Sequence, residues 1–187
     1  VDADYWKPRE EPTEDYLFTI GNDPGRDFRT LLRAVHGLPV RVIMKTSVKN
    51  AAEADKVPNV RVIRERITFD ELKDLYAKAR MVVIPLKETI HAGGVNSLLE
   101  AMSMGKAVIV SRSQGIADYY QHGLTAMEVP VGDWKAMREA IMSLWHDSEK
   151  LLWLGRNARQ MVLRRFDRPV YNATFSRALF KIFAGHK

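Results

Sequence analysis

The chain has 187 residues, 46% hydrophobic and 28% charged, which is enough for one globular domain with a substantial core. It contains no cysteine, which excludes disulfides, a thiol nucleophile and cysteine metal sites. Its net charge of +6 is concentrated in residues 151–187, where eight Lys/Arg face one acid, Asp167, while the remainder is close to neutral.

Residues 1–15 hold two prolines, Pro8 and Pro12, and many charges without periodicity, and read as a linker. Strands and helices then alternate. Residues 16–21 read as a strand, and 27–36 as a helix with Phe28, Leu31, Leu32 and Val35 on one face. A strand at 40–45, a short helix at 50–55 and a strand at 60–64 follow. Thr68, with Glu71 three residues on, forms a capping box for a helix that turns Leu72, Leu75 and Tyr76 inward. Three more strands are expected at 81–85, 107–111 and 126–130. They alternate with helices at 95–104, 115–121 and 133–146, and helices at 149–165 and 168–183 close the chain. Short apolar strands separated by helices argue for a parallel sheet covered on both faces, an α/β Rossmann-like doubly wound domain. Such sheets bind ligands beyond the carboxyl ends of their strands, where strand order reverses.

Three loops are expected at that edge. The first, GNDPGR at 21–26, lacks the dinucleotide spacing, so NAD and FAD are not favoured. Its glycines Gly21 and Gly25 allow a tight backbone, and Arg26 has the fork geometry suited to phosphate; a plain turn with an exposed arginine is the alternative. The second, at 64–68, can hold an aromatic base through backbone groups near Ile67. The third carries the strongest signal, HAGGVNSLLEAMSMGKAVIVS at 91–111. Here Gly93, Gly94, Val95, Asn96 and Ser97 offer N–H donors at a positive helix end, and Glu100 can accept hydroxyl hydrogen bonds from a ribose. A glycine pair before a helix is also common, and Glu100 can equally be a surface residue. However, Leu98, Leu99, Met102 and Met104 make this helix largely apolar, so an acid on it needs a partner.

The segments GNDPGRDFRTLLRAV, ITFDELKDLYAKARMVVIPL, GGVNSLLEAMSMGKAVIVSRSQGIADYYQHG and VPVGDWKAMREAI resemble the C-terminal donor-binding domain of GT-B glycosyltransferases, of the retaining group 1 (family 4) type. The resemblance spans 16–167. It implies a metal-independent transferase that uses a nucleotide diphosphate sugar, UDP-linked in this reading, as co-substrate without a further cofactor. It implies that Glu100 is the second glutamate of an E-x7-E motif and holds the ribose, and that 93–97 is the diphosphate loop. Arg26 falls where the family has a phosphate-binding lysine, Asn22 where an arginine is usual, with Gly21 beside it, and Arg66 and Ile67 where the base is held. The first glutamate of the motif is replaced by Ala92; Glu88 and His91 are nearby candidate catalytic substitutes, alongside Arg26, though neither is in register, and His91 can equally be an ordinary loop histidine.

VDADYWKP resembles the family's interdomain link, so Asp2 and Asp4 are not read as a metal-binding DxD pair. The expected organisation is therefore a linker remnant at 1–15, a donor domain at 16–167, and a helix at 168–187 that packs on a missing N-terminal acceptor domain. That helix carries Tyr171, Phe175, Leu179, Phe180 and Phe183; packing on its own domain is the alternative. The expected acceptor is a glycan or lipid-linked molecule in polysaccharide assembly, and the isolated fragment is expected to transfer little sugar. The basic C-terminal helices suggest either a solvated face or contact with anionic lipid at a membrane surface, and nucleic acid is not expected. With no leader or spanning run in view, a cytoplasmic location is the default expectation. Two other readings stay open: a sugar-nucleotide epimerase or hydrolase of the same fold, and a non-catalytic nucleotide-sugar-binding domain.

Overall fold

A computed structural model describes residues 1–10, 12–47, 51 and 53–184. Its strands are β1 (Tyr16–Ile20), β2 (Arg41–Lys45), β3 (Val60–Ile63), β4 (Met81–Ile84), β5 (Val108–Ser111) and β6 (Met127–Val129). They form one sheet in the order β3-β2-β1-β4-β5-β6, and every pair is parallel. The helices are α1 (Phe28–Val35), α2 (Phe69–Lys78), α3 (Val95–Ser103), α4 (Trp134–Trp145), α5 (Ser148–Arg165) and α6 (Arg168–Ala184).

The strands are apolar because helices cover both faces. All of β4 and β5 is buried, and successive residues serve opposite layers. Phe18, Ile43, Val82, Ile84 and Val110 pack with α2, α3 and α5. Leu17, Val42, Met44, Val83 and Ile109 pack with α1 and α4. Helix starts follow local chemistry. Asp27 accepts from Thr30 N at 3.1 Å to cap α1. At α2 the expected capping box is complete: Thr68 N donates to Glu71 Oε2 at 2.6 Å and Glu71 N to Thr68 Oγ1 at 3.2 Å.

Two differences from the sequence reading, at 115–121 and in 1–15, have physical causes. Residues 114–119 form a short 3-10 turn (Gln114–Tyr119) in place of a helix at 115–121. The hydroxyl of Ser113, which would cap a helix there, is instead engaged with both backbone groups of Thr89. In the 50–55 region, Asn50 and Ala52 lie outside the described residues, and what is described there includes a 3-10 turn at Ala54–Lys56. The 1–15 segment is partly core: Ala3 and Trp6 are buried, Ala3 N donates to Asp167 Oδ1, and Asp2 pairs with Arg168 at 3.0 Å. α6 follows the end of α5 with its aromatic residues in solvent, Phe180 being 76% exposed. Among the described residues, no helix is long and apolar enough to cross a membrane.

Candidate functional site

The sheet order reverses between β1 and β4, since the chain runs outward from β1 through β2 to β3 and then crosses back to β4. Loops leaving the carboxyl ends of these two strands therefore flank the crevice where such folds take ligands. The two loops are fastened to each other. Asp27 N donates to Pro85 O at 3.0 Å, Lys87 N to Gly25 O at 2.8 Å and Lys87 Nζ to Pro24 O at 3.0 Å.

This fastening buries Arg26, which leaves 6% of its surface exposed, so the plain-turn alternative fails. The guanidinium passes over Gly21, where a Cβ would lie only 1.9 Å from Nε. Nε donates to Asp23 Oδ2 at 3.0 Å and Nη2 to Ser97 Oγ at 2.9 Å. Nη1 is buried and has no hydrogen-bond partner. It lies 3.1 Å from the position a Cβ would take on Gly94. Burial pulls the guanidinium below its ordinary proton affinity and Asp23 opposes that, leaving the group charged.

Gly94 is the N-cap of α3 and adopts φ +86°, a left-handed conformation that favours glycine. No side chain caps this helix. Of the five expected amide donors, Gly93 N is spent on His91 O at 2.7 Å and Val95 N reaches Ala92 O at 3.4 Å. Gly94, Asn96 and Ser97 remain, at the positive end of α3 and beside Arg26 Nη1. One turn on, Glu100 is partly buried. Its Oε2 accepts from the hydroxyl of Tyr76 at 3.0 Å, which supplies the partner that an acid on an apolar helix requires. Burial raises the Glu100 carboxyl from 4.5 to about 7, against the Tyr76 hydrogen bond and the Arg26 charge.

The other expected residues sit as follows. Asn22 is exposed, and its Oδ1 accepts from Ser47 N at 2.8 Å. Arg66 is exposed. Ile67 is half-buried in a groove of about 350 Å³ with Ile43, Ile63 and Leu75, and that groove has no lining residue from 21–26 or 92–100. Ala92 and His91 are exposed. The Glu88 carboxylate accepts from Gln114 N at 3.0 Å, which ties the loop after β4 to the one after β5. Sequence reasoning took Tyr76 as core alone and missed Asp23 and Ser97 as partners of Arg26. A tyrosine within an apolar helical stripe was the available signal, because its hydroxyl must find an acceptor when buried. Among the described residues, no cluster of three or more His, Asp or Glu side chains could hold a metal.

The model of the family described as Glycosyl transferases group 1 matches residues 22–147, about two-thirds of the chain. The chain belongs to this family. No curated protein sequence matches the chain. Among solved structures, the group 1 domain is similar to sucrose-phosphate synthase from Thermosynechococcus elongatus, with a TM-score of 0.84 and 20% identity over 99% of this chain and 51% of that one. It is similar to HepE from Anabaena, solved with UDP and glucose, with a TM-score of 0.80 and 16% identity over 96% of this chain and 54% of that one. It also resembles the C-terminal domain of LpcC from Francisella tularensis, a glycosyl transferase group 1 family protein, with a TM-score of 0.75 and 14% identity over 90% and 99%. These likenesses show the fold, that of GT-B C-terminal domains. The chain spans about half the length of the sucrose-phosphate synthase and HepE chains it matches.

Proposed function

We propose that this domain binds the donor of a glycosyl transfer, a nucleotide diphosphate sugar, and stabilises its diphosphate as the glycosidic bond breaks. The observation that carries this reading is the buried Arg26 Nη1, unpartnered and beside the uncapped N-terminus of α3. A buried N–H of a cation left without an acceptor is costly, and a phosphate oxygen there would satisfy it together with the Gly94, Asn96 and Ser97 amides. Charge on the leaving diphosphate grows during transfer, so these groups favour the transition state over the ground state. The cation and helix end meet that charge without calling on a metal. Glu100 accepts ribose hydroxyls, and Arg66 and Ile67 flank the base.

A uridine base is favoured by the fold's likeness to a protein solved with UDP. Retention, and an acceptor that is a glycan or lipid-linked molecule in polysaccharide assembly, follow from the resemblance of the sequence segments. Spanning about half of the sucrose-phosphate synthase and HepE chains it matches, the domain is expected to need an N-terminal acceptor half, against which the exposed aromatics of α6 would pack. The remaining basic residues of α5 and α6 suit contact with anionic lipid at the cytoplasmic face of a membrane.

Ala92 favours a second reading, a nucleotide-sugar-binding domain without transfer activity. It places no acid before the glycine pair, and Glu88 is engaged with Gln114 N. The first test is calorimetric titration of UDP, GDP and ADP against wild type and Glu100→Ala. UDP is expected to bind tightest and to weaken in the variant; unchanged UDP affinity would remove the ribose role. Product analysis with UDP-sugars, with and without an acceptor panel, then separates transfer from hydrolysis, epimerisation and binding alone.

A further inference from the structure

Glu100 can serve a ribose only if its carboxylate is held in one orientation. A glutamate on an open helix surface samples several rotamers, and fixing it costs entropy. Tyr76, on α2, is fully buried and touches Glu100 from outside its own helix. Its ring is clamped edge-on by Trp6 at 5.7 Å and by Phe18 at 5.0 Å between centroids. The hydroxyl thus has a fixed place, 3.0 Å from Glu100 Oε2 and 3.4 Å from Ser97 O. Of the two carboxylate oxygens, it is Oε2 that this hydroxyl engages.

We propose that Tyr76 is a positioning residue for donor binding: its hydroxyl holds Oε2 of Glu100 and so presents Oε1 to a ribose hydroxyl. The proposal rests on the ribose role given to Glu100 above. It also extends the site across the domain, because Trp6 of the 1–15 segment supports the ring that orients the acid. The groups acting electrostatically on Glu100 are Tyr76 from α2, Arg26 from the loop after β1 and the Val1 amino group; all three favour the carboxylate and burial opposes it. UDP affinity should therefore fall as pH drops through about 7. Loss of the Tyr76 hydroxyl should move that midpoint upward.

The test is a double-mutant cycle on the full chain, with UDP as the probe and calorimetry as the readout, near pH 8. Tyr76→Phe removes one oxygen and keeps the ring between Trp6 and Phe18, and a thermal melt verifies folding. Tyr76→Phe should weaken UDP by roughly three- to tenfold, while adding no further loss in a Glu100→Ala background. Its pH midpoint should lie above that of wild type. An equal loss in both backgrounds, or wild-type affinity with an unmoved midpoint, would overturn the positioning role while leaving the ribose reading intact. Wild-type affinity in Glu100→Ala would instead overturn the ribose reading, and this proposal with it.

Discussion

Replacing Glu100 with glutamine should stabilise the protein at neutral pH while weakening nucleotide binding. The magnitude follows from the carboxyl's surroundings. Raising its value from 4.5 to about 7 changes its proton affinity by roughly 300-fold, a ceiling of about 3 kcal/mol at about 1.4 kcal/mol per tenfold. The folded state binds the extra proton between those two values, so the wild type loses stability as pH rises through that window. Above it the cost is constant; below 4.5 it vanishes. Glutamine carries no charge and still offers Tyr76 an acceptor. Urea unfolding of both proteins from about pH 4 to pH 8 isolates this group, because the other carboxylates cancel in the difference. Glu100→Gln should gain about 1–3 kcal/mol near pH 8, after allowance for its partial exposure, and nothing near pH 4. A difference that does not vary with pH, or that runs the other way, would refute the description of Glu100 as a desolvated acid.

Arg26→Met should lower UDP affinity by at least about tenfold, and Arg26→Lys should recover only part of it, since lysine lacks the fork that serves Asp23, Ser97 and a phosphate together; calorimetry reads both. Gly155→Ala should destabilise by more than about 2 kcal/mol in thermal unfolding, because its Cβ would sit 1.9 Å from Gly105 O where α5 crosses the turn after α3. Burial lowers Lys106 from 10.5 to about 8, so the unfolded chain binds the extra proton between those values and the burial cost disappears as pH rises through them. The stability of wild type relative to Lys106→Met should therefore increase between about pH 8 and pH 10.5 in denaturant titrations.

The fold was legible because its signals are local. Apolar strands, the Thr68 capping box and the helical stripes all depend on neighbours within a few residues, and the structure reproduces them. The glycine turn before α3 was legible for the same reason. What could not be read is what depends on contacts between distant segments. The burial of Arg26 comes from a loop after β1 being pinned to one after β4 by bonds that span as many as 63 positions, and its hydrogen bond to Ser97 spans 71. The partner of Glu100 lies 24 positions away on another helix. The shortfall at 115–121 has the same origin, since Ser113 is engaged with Thr89. Ala92, by contrast, is plain in the sequence, and in the structure the nearby Glu88 carboxylate accepts from Gln114 N.

The central claim is that a nucleoside diphosphate lies between Arg26 and the N-terminus of α3. Amide chemical shifts of the isotope-labelled chain, followed during UDP titration, test it most directly. Saturable shifts should concentrate at 21–26 and 93–100, with the largest at Gly94, Asn96 and Ser97, and should be lost in Arg26→Met. Shifts confined to other surfaces, or a response that Arg26→Met leaves unchanged, would contradict the account.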